Sequence, residues 1–231
     1  RDKMAEKVGI VGIGLMGSAL SGGLLQEGFE VQGFDTDGRR LDEFTERGGT
    51  AVDSPAAAAQ GVNWMITSLP HGEIVREVAL GANGIIEGAE KGLILCDAST
   101  TSPEDTEKLG SDLAERGIRF LDTCVSGTSA MAWEKDLIVI AGGEKSDFEA
   151  CRPYLESFSR AAYHMGPVGS GALTKLIINL VLAGNRLALG EGLTLGTKAG
   201  MDVNNLLAVL QDGACHSKTM LDKGPKMVEG N

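Results

Sequence analysis

The chain has 231 residues, 42% of them hydrophobic, and a formal charge of −11, enough material to bury one or two globular cores. A pI near 4.8 with no clustering of Lys and Arg argues against a nucleic-acid surface and against attraction to anionic membranes. The most apolar run, 176–189, is interrupted by Asn179, Asn185 and Arg186, so no membrane span is expected. Cys96, Cys124, Cys151 and Cys215 lack CxxC spacing and predict reduced thiols, with neither a disulfide framework nor a metal site.

Residues 1–7 are charged and lead straight into a strand with no apolar leader in view, which predicts a cytoplasmic protein. The first strand, 8–13, runs into Gly12-Ile13-Gly14-Leu15-Met16-Gly17, and a helix over 17–27 follows. This spacing suits a dinucleotide: Gly12 permits a tight turn, Gly14 lets backbone approach a pyrophosphate, and Gly17 lets the helix pack closely on the strand. The free N–H groups at the helix start meet the phosphates. A second strand, 30–34, ends on Asp35, 18 positions after Gly17 (35 − 17). A carboxylate there accepts hydrogen bonds from the adenosine ribose hydroxyls and repels the 2′-phosphate of NADP. Arg39 and Arg40 open the next helix, 38–47, where a guanidinium is the usual partner of that phosphate. The sequence therefore favours NAD and leaves NADP open.

Further strands are predicted at 63–68, 93–97, 120–125, 137–141 and 161–164, with helices at 73–80 and 103–116. Each of the first four helices is followed by a glycine suited to a left-handed cap. Repeated βα units make residues 1–168 a doubly wound parallel sheet, an α/β Rossmann domain. Beyond a glycine-rich stretch, 172–200 reads as one helix roughly 40 Å long, and 202–211 as another. No element is expected over 223–231, so 169–231 forms a helical domain that looks too small to close its own core.

Four segments follow the C-terminal ends of strands or open the long helix, and all converge on the crevice where a nicotinamide would lie. They are Leu69-Pro70, Ser99-Thr100, Ser126-Gly127, and Lys175 with Asn179. Lys175 and Asn179 are four apart and share a helix face. A lysine desolvated in a cleft has its pKa lowered and can trade a proton with a carbinol hydroxyl. Asn179 would align that amine or the hydroxyl, while Ser126 and backbone N–H groups near Gly127 suit a substrate carboxylate. Blander readings stand beside these, because helix lysines are usually solvated and Ser-Gly is usually a turn. His71, His164 and His216 lack acid partners, Trp64 reads as core, Trp133 as packing or pocket wall, and Glu191 as a solvated or interface charge.

At these residues the sequence resembles the β-hydroxyacid dehydrogenase family, which includes 3-hydroxyisobutyrate dehydrogenase and tartronate semialdehyde reductase. The likeness covers the glycine motif with Met16, Leu69-Pro70, Asp97-Ala98-Ser99-Thr100-Thr101-Ser102-Pro103, Phe120-Leu121-Asp122 to Val125-Ser126-Gly127, and Gly171 to Lys175 with Asn179. It implies a hydride-transferring oxidoreductase of short 3-hydroxy acids and their semialdehydes, with Lys175 as acid/base and Asn179, Ser126 and Gly127 holding substrate. Gly12, Ile13, Gly14, Leu15, Met16, Gly17, Asp35, Leu69, Pro70 and Thr100 would touch the cofactor. The resemblance also implies a homodimer or homotetramer built on the long helix, and further helices beyond Asn231. The chain departs from the family in its substrate loop, where Thr128, Ser129, Met131 and Trp133 replace a glycine-rich stretch. Thr128 is carried as a substrate contact, and the particular hydroxy acid is left open. Two other readings remain: a 6-phosphogluconate dehydrogenase or imine reductase relative, and a non-catalytic dinucleotide-binding protein.

Overall fold

The computed structural model describes residues 6–230. By its internal contacts the chain divides into two compact units, Arg1–Lys175 and Leu176–Asn231.

The first unit is built on an eight-stranded sheet in the order β3-β2-β1-β4-β5-β6-β7-β8. Its strands are β1 Lys7–Val11, β2 Glu30–Phe34, β3 Thr50–Ala51, β4 Trp64–Thr67, β5 Ile94–Asp97, β6 Arg119–Ser126, β7 Leu137–Gly142 and β8 Ser159–Gly166. Adjacent strand residues go to opposite faces, so Ile10, Ile66 and Cys96 join one apolar cluster while Val11, Met65 and Leu95 join another. Burial on both faces explains the nearly continuous apolar strands, as a parallel sheet covered by helices requires. The doubly wound Rossmann architecture expected from the sequence is present.

The helices on the sheet are α1 Leu15–Gln26, α2 Gly38–Glu46, α3 Pro55–Ala59, α4 Gly72–Leu80, α5 Ile85–Gly88, α6 Pro103–Ala114, α7 Ser129–Trp133 and α8 Lys145–Leu155. Of these, α3, α5, α7 and α8, together with β3, were not expected. Four of the five are only two to five residues long, too short to show a period. The cap at Gly81 also differs from expectation: its φ is −76°, whereas Gly28, Gly48 and Gly117 take positive φ.

The last two strands, β7 and β8, run against the rest, since β6 and β7 pair antiparallel. Only residues 127–136 connect them, holding the five-residue α7, and a parallel crossover needs a dozen or more residues. The return to parallel pairing comes with α8, which links β7 to β8.

Helix α9, Ser170–Lys198, begins in the first unit and continues into the second, where α10 Val203–Asp212 and α11 Lys218–Glu229 follow. Leu189, Leu193, Leu207 and Met220 form the small core of that unit. The expectation of no element over 223–231 is corrected by α11, which runs to Glu229 and stops at Gly230 with φ 77°. Gly224 and Pro225 masked it in the sequence. The Gly224 position is used for packing, because a Cβ there would approach Leu207 within 2.6 Å. The membrane criterion needs correction as well. Despite its polar interruptions, α9 has the length and mean hydropathy, 1.4, of a membrane-crossing helix.

Candidate active site

The glycine turn joins β1 to α1. Gly12 has φ +90°, a region closed to most side chains, and a Cβ on it would collide with the carbonyl of Ser68. A Cβ on Gly17 would collide with the carbonyl of Gly12, so α1 packs on the strand only because that position is bare. Gly14 differs from both. The atom nearest its missing Cβ is Arg40 Nη1 at 3.7 Å, leaving its backbone open to the crevice. No side chain caps the N-terminus of α1 at Gly14, so the first N–H groups there suit an anion.

Asp35 follows β2 and is buried. Its Oδ2 accepts from the N–H of Ile13 at 2.6 Å and its Oδ1 from the N–H of Asp37 at 2.9 Å. The carboxylate thus ties the glycine turn to the end of β2. Arg40 Nη1 lies 3.5 Å from Asp35 Oδ2 and its Nε 3.8 Å from Asp37. Arg39 is paired with Asp37 at 3.2 Å. Both arginines flagged by the sequence are therefore engaged with carboxylates. A cavity of about 700 Å³ runs past this point, walled by Gly12, Gly14, Leu15, Met16, Asp35, Arg40, Leu69 and Pro70 among others.

A second cavity, about 250 Å³, is lined by Met16, Ser68, Leu69, Pro70, Ala98, Ser99, Thr100, Val125, Gly127 and Lys175. The two share Met16, Ser68, Leu69 and Pro70, so they adjoin. Three strand ends and the start of α9 meet there, as the switch-point rule expects. Lys175 Nζ donates to the carbonyl of Val125 at 2.7 Å. Burial pushes its pKa down from the usual lysine value. Cys124 nearby is buried, and its thiol is pushed up to about 12, chiefly by desolvation. Its coulombic effect on the Lys175 amine opposes that of burial and is the smaller of the two.

Ser99 was expected only as the neighbour of Thr100, yet it organises the wall. Its Oγ accepts from the N–H of Leu69 at 2.9 Å, and its own N–H donates to Asp97 Oδ1 at 3.1 Å. Thr67 donates to the same oxygen at 2.8 Å. Asp97 is fully buried and burial raises its pKa. The sequence signal was present in the Asp97 to Pro103 motif, but only pairing of β4 with β5 showed what the acid holds.

Of the substrate residues, Gly127 lines the small cavity with φ +140°. Ser126 and Thr128 are not in its wall. Thr128 Oγ1 accepts from the N–H of Met131 at 3.3 Å and so caps α7. Helix α7 is pinned against α1: the Trp133 ring occupies the space a Cβ on Gly22 would take, Arg47 stacks 5.7 Å over that ring, and Lys135 pairs with Glu27. Asn179 is exposed and belongs to the second unit. Ile13 and Leu15 flank the turn, Leu15 lying largely exposed at 85%. Among the described residues no group of His, Cys, Asp and Glu suits a metal ion.

Comparison with known proteins identifies the family. Residues 7–166 match the family model described as the NAD binding domain of 6-phosphogluconate dehydrogenase. Residues 169–231 match that described as NAD-binding of NADP-dependent 3-hydroxyisobutyrate dehydrogenase. The chain is 32% identical over 190 residues to mitochondrial 3-hydroxyisobutyrate dehydrogenase of Mus musculus, covering 81% of this chain and 57% of the relative. It is 32% identical over 188 residues to glyoxylate/succinic semialdehyde reductase 1 of Arabidopsis thaliana, covering 81% and 65%. The chain thus spans less than two thirds of the length of these two curated relatives. Among solved structures, Mycobacterium tuberculosis 3-hydroxyisobutyrate dehydrogenase with L-serine superposes with a TM-score of 0.89 at 27% identity, covering 95% of this chain and 74% of that one.

Proposed function

The chain belongs to the β-hydroxyacid dehydrogenase family, and from that premise we propose that it interconverts a short-chain 3-hydroxy acid and its semialdehyde, with Lys175 as acid/base. The observation that carries this is the half-buried amine of Lys175 in the wall of a cavity adjoining the glycine turn. A bound nicotinamide supplies or accepts the hydride. As a carbinol becomes a carbonyl, neutral Lys175 takes the hydroxyl proton, and in reduction it returns that proton to the same oxygen. Its lowered pKa raises the neutral fraction that can do so. The Gly127 backbone, in the wall of that cavity, receives the substrate carboxylate, with the neighbouring Ser126 hydroxyl proposed beside it from the sequence alone.

The cofactor proposed is NAD. Asp35 presents a carboxylate to the larger cavity, and Arg39 and Arg40 are already paired with Asp35 and Asp37. A 2′-phosphate would have to break those pairs and approach an anion. A homodimer or homotetramer is proposed on the apolar surface of α9.

Lys175→Ala is expected to cost about 10²–10⁴ in turnover of the preferred hydroxy acid while NADH binding, read by fluorescence, persists. A screen of 3-hydroxyisobutyrate, glycerate, 4-hydroxybutyrate and glyoxylate with both cofactors would identify that acid. Full activity in the variant defeats the role given to Lys175. A blank screen favours a non-catalytic dinucleotide-binding protein.

A further inference from the structure

Asp122, on β6, is 2% exposed and lines neither of the two cavities. Its Oδ1 accepts from the N–H of Gly169 at 2.9 Å, and its Oδ2 from the N–H of Ala172 at 2.7 Å. The first N–H groups of a helix have no partner within the helix, and a carboxylate placed there also meets the positive end of its dipole. The surroundings leave room for nothing else. A Cβ on Gly171 would lie 2.7 Å from both Asp122 O and Oδ2, and one on Gly142 would lie 2.5 Å from Oδ1.

Three residues past Ala172 comes Lys175, whose amine donates to Val125 O, three residues past Asp122 on the same strand. One strand therefore fixes both the start of α9 and the amine that the helix carries. We propose that Asp122 is a positioning residue: its buried carboxylate seats the first turn of α9 and thereby aims the amine of Lys175 into the cavity. The inference rests on reading Lys175 as the acid/base.

The test is a double-mutant cycle. Asp122→Asn keeps the side-chain shape and one acceptor but turns an NH₂ toward a backbone N–H. It is expected to lower kcat about 10²-fold, the cost of a misplacement near 1 Å, with the dissociation constant of NADH unchanged. Placed on Lys175→Ala, it should cost nothing more, because a residue acting only through Lys175 has nothing left to position. Asp122→Glu keeps the charge but displaces the helix start, and the same loss in kcat is expected. The proposal is overturned by a folded Asn or Glu variant with unchanged kcat. It is equally overturned by a loss that multiplies on the Lys175→Ala background, or by a parallel loss of NADH affinity. Failure of both variants to fold assigns Asp122 a structural role alone. If Lys175→Ala itself turns over normally, the acid/base reading falls and takes this inference with it. If Lys175→Ala is inactive and Asp122→Asn is not impaired, only this inference falls.

Discussion

Asp35 has two tasks for one pair of oxygens: it anchors the N–H of Ile13 and faces the larger cavity. Replacing it by Asn removes the charge that repels a 2′-phosphate and leaves Arg40 without its nearest anion. The ratio of kcat/KM with NADP to that with NAD is expected to rise about tenfold or more, given a like-charge repulsion of a few kcal/mol near a protein surface. An unchanged ratio would move selectivity to other residues. Lys175 offers a pH test. Its protonated form cannot accept a proton, so kcat/KM for oxidation falls as pH drops through the pKa of the free enzyme. Since burial lowers that pKa, the limb is expected below the usual 10.5 of a lysine. Cys124→Ser should move the limb little, because burial outweighs the thiol's coulombic effect on the amine. A limb at or above the ordinary lysine value would mean that the amine is solvated.

At the scale of elements, the β1 to α1 junction is the least tolerant part of the first unit. Gly17→Ala forces a methyl into the carbonyl of Gly12, and overpacking of this kind costs about 1–3 kcal/mol. Loss of NADH binding with a lowered Tm is expected in titration and thermal melts; unchanged binding would show that the helix can move away. This junction was legible because glycine spacing, an apolar strand and an acid at the next strand end state one requirement three times. The same holds for Leu69, Pro70, Thr100, Gly127 and Lys175, each placed by a strand end or helix start and found together in one wall. Other elements were illegible for physical reasons. Helix α8 carries Pro153 in its last turn, which reads as a breaker although a proline near a helix end loses little. The direction of β7 depended on the length of a connection whose helix, α7, is held by tertiary contacts at Gly22 and Glu27. Asp122 was visible as part of a motif, but its partners 47 and 50 residues away were not.

At the scale of the whole molecule, the unresolved demand of the sequence is α9. Between residues 173 and 188 it holds no buried residue, yet Leu180 is 73% and Leu187 67% exposed. Length and hydropathy alone would let it cross a bilayer. Arg186 and Glu191 oppose that, since a charged residue at a helix centre costs about 2.5–3.5 kcal/mol on insertion, and the −11 charge is repelled by anionic lipid. A protein surface asks less, because small polar breaks can face its rim. The expected solution species is therefore a multiple of 24.1 kDa, read by light scattering behind size exclusion, with no co-sedimentation on anionic vesicles. Leu180→Glu combined with Leu187→Glu should shift that mass to 24.1 kDa, because two buried carboxylates at an apolar contact have no partner to offset their desolvation. A monomer at every concentration before substitution would remove self-association from the proposed function, and vesicle binding would instead make α9 a membrane element.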